Sequence, residues 1–264
     1  MGIILILLSH VLADFVFQWD NLVELKSSKS LRGFLYHGLI LFTIQLFLLS
    51  TIYNISSVIY YTTVIVFIHI LIDYLKESFR TNNPITNLFL FISDQTLHIL
   101  IILVAFYKFT FVESNYLINI MISQLNIELN IVFINKLLTG IVILLYLSFG
   151  GAIFIRLFID VIYRKVPNYM SIIATDDLKQ NDPIKEVKVG KFVGILERII
   201  LFILLIKGDF SVVGFIIAAK SLTRFKQLEN KNFAEYYLIG TFMSFLLTLI
   251  AVLLFQYLAT TPTY

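Results

Sequence analysis

Four histidines and three aspartates in the first hundred residues have the types and the spacing of a metal-ligand set. His10 stands four residues before Asp14, His69 four before Asp73, and Asp94 four before His98; His37 completes the histidine content of the chain. On a helix, positions i and i+4 project from one face. Each pair therefore offers an imidazole nitrogen and a carboxylate to the same point, a common way to hold a divalent cation. Imidazole with carboxylate favours Zn²⁺, Mn²⁺ or Fe²⁺ over Ca²⁺ or Mg²⁺. Seven candidate ligands exceed what one tetrahedral ion needs, so one or two ions are expected. Two neighbouring ions would activate water and clamp a phosphoryl group. Asp94 is also the candidate general base, while Gln18, Asp20 and Gln95 are placed to orient the histidine rings through their N–H groups.

The elements that must position these groups are apolar helices. Hydrophobic residues make up 59% of the 264 positions and charged residues 14%, about half the charge of a soluble domain. Apolar stretches of about 20 residues recur, which is what a hydrocarbon layer of roughly 30 Å demands. Backbone groups in lipid must be satisfied internally, and the runs are too continuous for barrel strands. The expected fold is all-α: a polytopic transmembrane helix bundle of about eight spans. They are placed at Gly2–Trp19, Phe34–Ile52, Ser57–Leu75, Leu88–Tyr107, Leu137–Ile159, Lys191–Ile206, Phe210–Leu222 and Tyr236–Tyr257. Met1–Trp19 has neither a basic leader nor a small-residue cleavage site and carries His10 and Asp14, so it reads as a retained first span. There is no cysteine, which removes disulfides and thiolate metal sites.

Four regions follow: a four-helix membrane unit with the His/Asp cluster (1–108), an interfacial segment with the fifth span (109–163), a polar cytoplasmic linker (164–189) and a C-terminal three-helix unit (190–264). Of the 20 basic residues, 15 fall in the odd-numbered loops, from Lys26 to Lys231. By the positive-inside rule those loops face the cytoplasm, and with eight spans both termini lie outside a bacterial cytoplasmic membrane. On that topology the three aspartates form one layer and the histidines the next, roughly 3–17 Å from the cytoplasmic helix ends. A weak internal repeat agrees: His-Val-Leu-Ala-Asp at 10–14 returns as His-Ile-Leu-Ile-Asp at 69–73. Each copy precedes a helix carrying another histidine.

In the C-terminal part, Gly-Ile-Leu-Glu-Arg (194–198), Ala-Ala-Lys-Ser-Leu-Thr-Arg-Phe (218–225) and Glu-Tyr-Tyr-Leu-Ile-Gly-Thr (235–241) bring basic groups to one expected membrane face. Arg198, Lys220 and Arg224 are candidate ligands of a lipid phosphate, with Glu197 or Glu235 holding them in place. The plainer reading is inter-helix ion pairing.

With these motifs in hand, the chain resembles a bacterial membrane family catalogued as domain of unknown function 3307. The resemblance runs through His-Val-Leu-Ala-Asp-Phe-Val-Phe-Gln, His37-Gly, His-Ile-Leu-Ile-Asp and Asp-Gln-Thr-Leu-His, and on through the C-terminal motifs. It implies a membrane protein and names no reaction. A looser similarity, carried by His-x-x-x-Asp spacing, is to membrane-bound metal-dependent hydrolases and to zinc phosphoesterases of the phospholipase C and P1 nuclease type. That likeness implies phosphoester hydrolysis, although four histidines are too few for a full three-metal site.

Three readings of the cluster stand open: a metal site, a metal-free proton relay and a structural polar network. The first makes the protein an integral-membrane metal-dependent hydrolase at the cytoplasmic leaflet, acting on a lipid or polyprenyl phosphoester. The others make it a metal-ion or proton transporter, or a non-catalytic scaffold or partner subunit. Suspected parallel duplication and the lack of proline inside the first four spans lean toward the enzyme. No phosphate-binding loop, dinucleotide turn, nucleophile elbow or nucleic-acid motif is present; membrane lipids are the expected partners.

Overall fold

The computed structural model describes residues 1–112, 130–164 and 183–260, with side chains from residue 190 onward in the last block. All regular elements among the described residues are helical. Helix α1 (Gly2–Val11) runs into a π-helical turn, Leu12–Val16, followed by α2 (Asp20–Ser27). Then come α3 (Leu31–Leu49), α4 (Ile55–Phe79) and α5 (Pro84–Lys108). Helix α6 (Ile131–Leu145) passes through a second π turn, Tyr146–Gly150, into α7 (Gly151–Ile162). The chain ends with α8 (Pro183–Ile206), α9 (Ser211–Thr223) and α10 (Lys231–Thr260).

Local sequence explains the starts. Asn54, Asn83, Asn130 and Asn230 each place a side-chain oxygen 3.0–3.1 Å from a backbone N–H in the first turn of α4, α5, α6 or α10. Such caps satisfy donors that a helix start leaves unpaired. Pro84 opens α5, where its missing N–H costs nothing. Gly208, at φ +84°, closes α8 in the left-handed region.

Large apolar side chains such as Leu39, Phe47, Phe67, Phe89 and Phe242 are exposed, while histidines, aspartates and Arg198 are buried. That inversion of the soluble pattern suits a lipid surround. Among the described residues, five helical stretches are long and apolar enough to cross a membrane: α3, α4, α5, the continuous α6–α7 and α10; the bent α1–α2 pair adds a sixth candidate. The expected count of eight is not confirmed among the described residues. The first span turns by 88° into α2. The expected sixth span carries Lys191, Glu197 and Arg198, and the expected seventh is the 13-residue α9, about 20 Å long. Outward placement of both termini rested on that count. Residues 113–129, where an interfacial segment was expected, and most of the polar linker, 165–182, lie outside the described residues.

By contacts the chain divides into two units. One comprises Met1–Asn82 and Phe89–Val142, the other Asn83–Leu88 and Ile143–Pro262. In the N-terminal unit Leu5, Ile6, Leu49, Val58, Tyr61, Ile65 and Ile102 form an apolar core, and Tyr53, Tyr61, Phe106, Phe109 and Phe111 pack beside it. In the C-terminal unit Leu147, Phe202, Leu205, Ala251 and Val252 form the core.

Candidate metal centre

Asp14 reaches its position because α1 ends in a π turn. The i+5 bonding there, such as Phe17 N–H to the Leu12 carbonyl at 2.8 Å, inserts extra backbone and re-aims side chains, a feature common at functional sites. The bend that follows turns α2 so that Leu22 and Lys26, one turn apart, are both buried. Close packing of α2 on α3 needs Gly33, where an added Cβ would meet the Leu25 backbone at 2.8 Å.

His10, Asp14, His37, His69, Asp73, Asp94 and His98 are all buried in the N-terminal unit, and the structure brings all seven into one cluster. Of the three i,i+4 pairs, only His69–Asp73 enters its centre as a pair. His37 Nε2 and His69 Nε2 lie 2.9 Å apart. Asp14 Oδ1 is 3.2 Å from each of them, and Asp73 Oδ2 is 3.3 Å from His37 and 3.6 Å from His69. Asp14 thus sits nearer to these two rings than to its own helix partner His10, at 3.7 Å. Around an ion with bonds of about 2.0–2.2 Å, tetrahedral ligands stand roughly 3.3–3.6 Å from one another. Five of the six donor pairs lie 2.9–3.6 Å apart, and His37, His69 and Asp73 form a trio whose donor atoms are close enough to share an ion. Asp14 Oδ1, which faces both Nε2 atoms, lacks an aligned hydrogen bond among the described residues. A buried oxygen without a donor is costly, and a cation at the centre would satisfy it.

Two further trios have donor atoms close enough to share an ion: His10, Asp14 and His69, and Asp73, Asp94 and His98. His10 and His98 stack at 5.0 Å, and neither ring has a hydrogen-bonded nitrogen among the described residues. A cavity beside them, lined by His10, His69, His98, Ser9, Gln45 and apolar side chains, is about the size of one water molecule.

Sequence reasoning read Lys26 and Lys76 as topology signals, yet both enter the cluster. Lys26 Nζ donates to Asp73 Oδ2 at 2.6 Å, and Lys76 Nζ lies 3.1 Å from Asp94 Oδ2 and 3.6 Å from Asp73 Oδ1. The available signals were the Leu22–Lys26 spacing on one face of α2 and the Asp73–Lys76 spacing of three. Gln45, buried with both amide atoms unpaired, was also missed.

The other expected residues sit as follows. Gln95 donates to Asp94 Oδ2 at 3.0 Å, so it orients a carboxylate and not a ring. Gln18, with its amide set by the surrounding donors, bonds the Asp14 carbonyl at 2.7 Å and accepts from Lys26 at 3.3 Å. Asp20 is exposed at the start of α2. In the C-terminal unit Arg198 is buried and donates to the Ser148 carbonyl at 2.9 Å and toward Ser244 at 3.4 Å. Lys220 pairs with Glu197 at 2.6 Å, and Arg224 bonds Gln227 at 3.0 Å over the Phe233 ring. Glu235 is exposed, 3.9 Å from Lys231.

Fold and site together define a helical protein of membrane type with a buried His/Asp cluster. The sequence model of the family described as a protein of unknown function, DUF3307, matches residues 3–145, more than half of the chain, and the chain belongs to that family. The match spans all seven cluster residues and both lysines; the C-terminal motifs lie beyond it. No curated protein and no solved structure matches the chain.

Proposed function

We propose that the protein is an integral-membrane, metal-dependent hydrolase of a lipid or polyprenyl phosphoester, with a zinc-class ion at the His37, His69, Asp14 and Asp73 quartet. The observation that carries this reading is the convergence of those donor atoms, with Asp14 and Asp73 oxygens 3.2–3.6 Å from the His37 and His69 nitrogens. Two imidazoles and carboxylates are a donor set suited to zinc, with manganese or iron as alternatives. Such an ion supplies polarisation of a phosphoryl oxygen and acidification of water at neutral pH.

The residues divide the remaining work. Closed four-donor sites are structural, whereas catalytic ones keep a position for water. Asp73 is the donor able to free that position, since its Oδ2 is already held by Lys26 at 2.6 Å. Asp94 remains the proposed base: its Oδ2 faces Lys76 and Gln95, while its Oδ1 has no hydrogen bond among the described residues. Hydrolysis adds hydroxyl to phosphorus and returns the proton to the departing alkoxide. With neutral histidines, three aspartates and two lysines leave the cluster one negative charge. One divalent ion makes it singly positive, the sign that suits an anionic ester. Arg198, Lys220 and Arg224 remain the proposed lipid-phosphate contacts in the C-terminal unit, with Lys220 and Arg224 the more exposed of the three.

A second reading, a carrier of metal ions or protons, draws on the burial of every ligand and on the water-sized cavity beside His10 and His98. The test is elemental analysis of purified protein and of Asp14→Asn, followed by release of phosphate or alcohol from lipid and polyprenyl phosphoesters. One bound zinc, manganese or iron, lost in the variant together with hydrolysis, is expected. Bound metal without hydrolysis, but with ion flux into proteoliposomes, would replace the enzyme by the carrier. Negligible metal in both proteins after reconstitution would sink both metal readings.

A further inference from the structure

The trio Asp73, Asp94 and His98 has the donor atoms of a second metal site, but an ammonium group already stands in it. Lys76 Nζ lies 3.1 Å from Asp94 Oδ2 and 3.6 Å from Asp73 Oδ1, bridging two carboxylates from different helices. An ion bound to both aspartates would have to share the space between them with that cation. Gln95 pins the same Asp94 oxygen at 3.0 Å, so the carboxylate is held toward the lysine. Charge gives an independent argument. One divalent ion leaves the cluster singly positive, and a second would leave it at three positive charges among buried groups, which a low-dielectric interior resists.

We infer that the centre is mononuclear by construction, and that Lys76 is its built-in second cation. This rests on the quartet holding an ion, as proposed above. In a two-metal phosphoesterase the second ion clamps a phosphoryl oxygen; here the Lys76 ammonium supplies that charge and donates N–H bonds to the same oxygen. Its side chain is 24% exposed, the most accessible of the groups in the cluster, so it is the one placed to meet an entering phosphate. The substrate class that fits is a phosphate ester with a free anionic oxygen, and inorganic phosphate is the simplest probe of the same contact.

Removing the ammonium should uncover the second metal site. Metal content is measured by elemental analysis after zinc loading and desalting, for the wild-type chain, Lys76→Ala, and Lys76→Ala with Asp94→Asn. The expected stoichiometries are one, two and one. Phosphate should protect the wild-type chain against thermal unfolding and lose at least tenfold in apparent affinity in Lys76→Arg, whose planar head cannot take the same position. Two ions in the wild-type chain, or one in both it and a folded Lys76→Ala, would overturn the inference and leave the quartet standing. No ion in any of the three would overturn the quartet as well, which separates the two failures.

Discussion

In the N-terminal unit, imidazole and carboxylate atoms from the Leu12–Val16 turn, α3 and α4 lie 2.9–3.6 Å from one another. In the C-terminal unit, Arg198 is buried as deeply, yet its guanidinium points at a backbone carbonyl and a serine hydroxyl, while Lys220 closes on Glu197. Both units bury charge inside apolar helices, and burial alone does not tell them apart. The sign and direction of the groups do. Lys26 and Lys76 leave the three aspartates one positive charge short, whereas a guanidinium on acceptors from neighbouring helices fixes packing with what the chain already holds.

The sharpest way to break this comparison is to change one group in each unit. His69 belongs to the quartet and contacts His37, Asp14, Asp73 and His98. His69→Ala should abolish stoichiometric metal and any rise in unfolding temperature on zinc addition. Arg198→Met keeps the stem and removes the charge; replacing a buried ionic group by an apolar one of similar volume is often neutral. Its unfolding temperature in detergent should stay within about 4 °C, on the order of 1 kcal/mol, with metal content unchanged. If Arg198→Met loses metal and His69→Ala keeps it, the two units have been assigned the wrong way round.

Much of this contrast was legible in the sequence, because a charged residue within an apolar run has few places to go. The seven cluster residues were identified by type and by i,i+4 spacing, and all seven meet. What spacing could not show is which atoms share the centre. A helix-face argument pairs His10 with Asp14, but the π turn at Leu12–Val16 re-aims Asp14 toward His37 and His69. The same turn precedes the 88° bend that carries Lys26 to Asp73. A local change in hydrogen-bond register thus altered the set of residues around the centre. The expected seventh span is α9, apolar through most of its length and 13 residues long, so hydropathy alone does not establish it as a crossing.

An intermediate effect is expected at Lys26, where the comparison can be sharpened within one unit. Its ammonium takes the Asp73 oxygen that faces the quartet, so it competes with an ion for that corner. Lys26→Met should raise zinc affinity about tenfold, or 1.4 kcal/mol, and destabilise the metal-free protein by leaving Asp73 uncompensated. Zinc should then raise the unfolding temperature more in the variant than in the wild-type chain. Weaker zinc binding in Lys26→Met would mean that Lys26 holds Asp73 in place for the ion instead of competing with it.

The smallest effect should come from Glu235, named from sequence as a residue that steadies the basic groups of the C-terminal unit. The structure gives it a partner four residues away at 3.9 Å, with 88% of the Lys231 side chain and 56% of its own exposed. An i,i+4 pair of that kind contributes about 0.3–0.5 kcal/mol. Held apart by nearly 4 Å in solvent-exposed surroundings, this one belongs at the bottom of that range. Glu235→Gln should leave unfolding temperature, metal content and phosphate protection unchanged within error, even at low ionic strength, where exposed pairs count most. Lys220→Gln is the matched control, since it strips a part-buried Glu197 of its 2.6 Å partner and should cost measurably more. Equal losses in the two variants would show that exposed charge around α10 contributes as much as the buried pair, and the division between self-satisfied packing and cation-seeking donors would then have to be redrawn for the C-terminal unit.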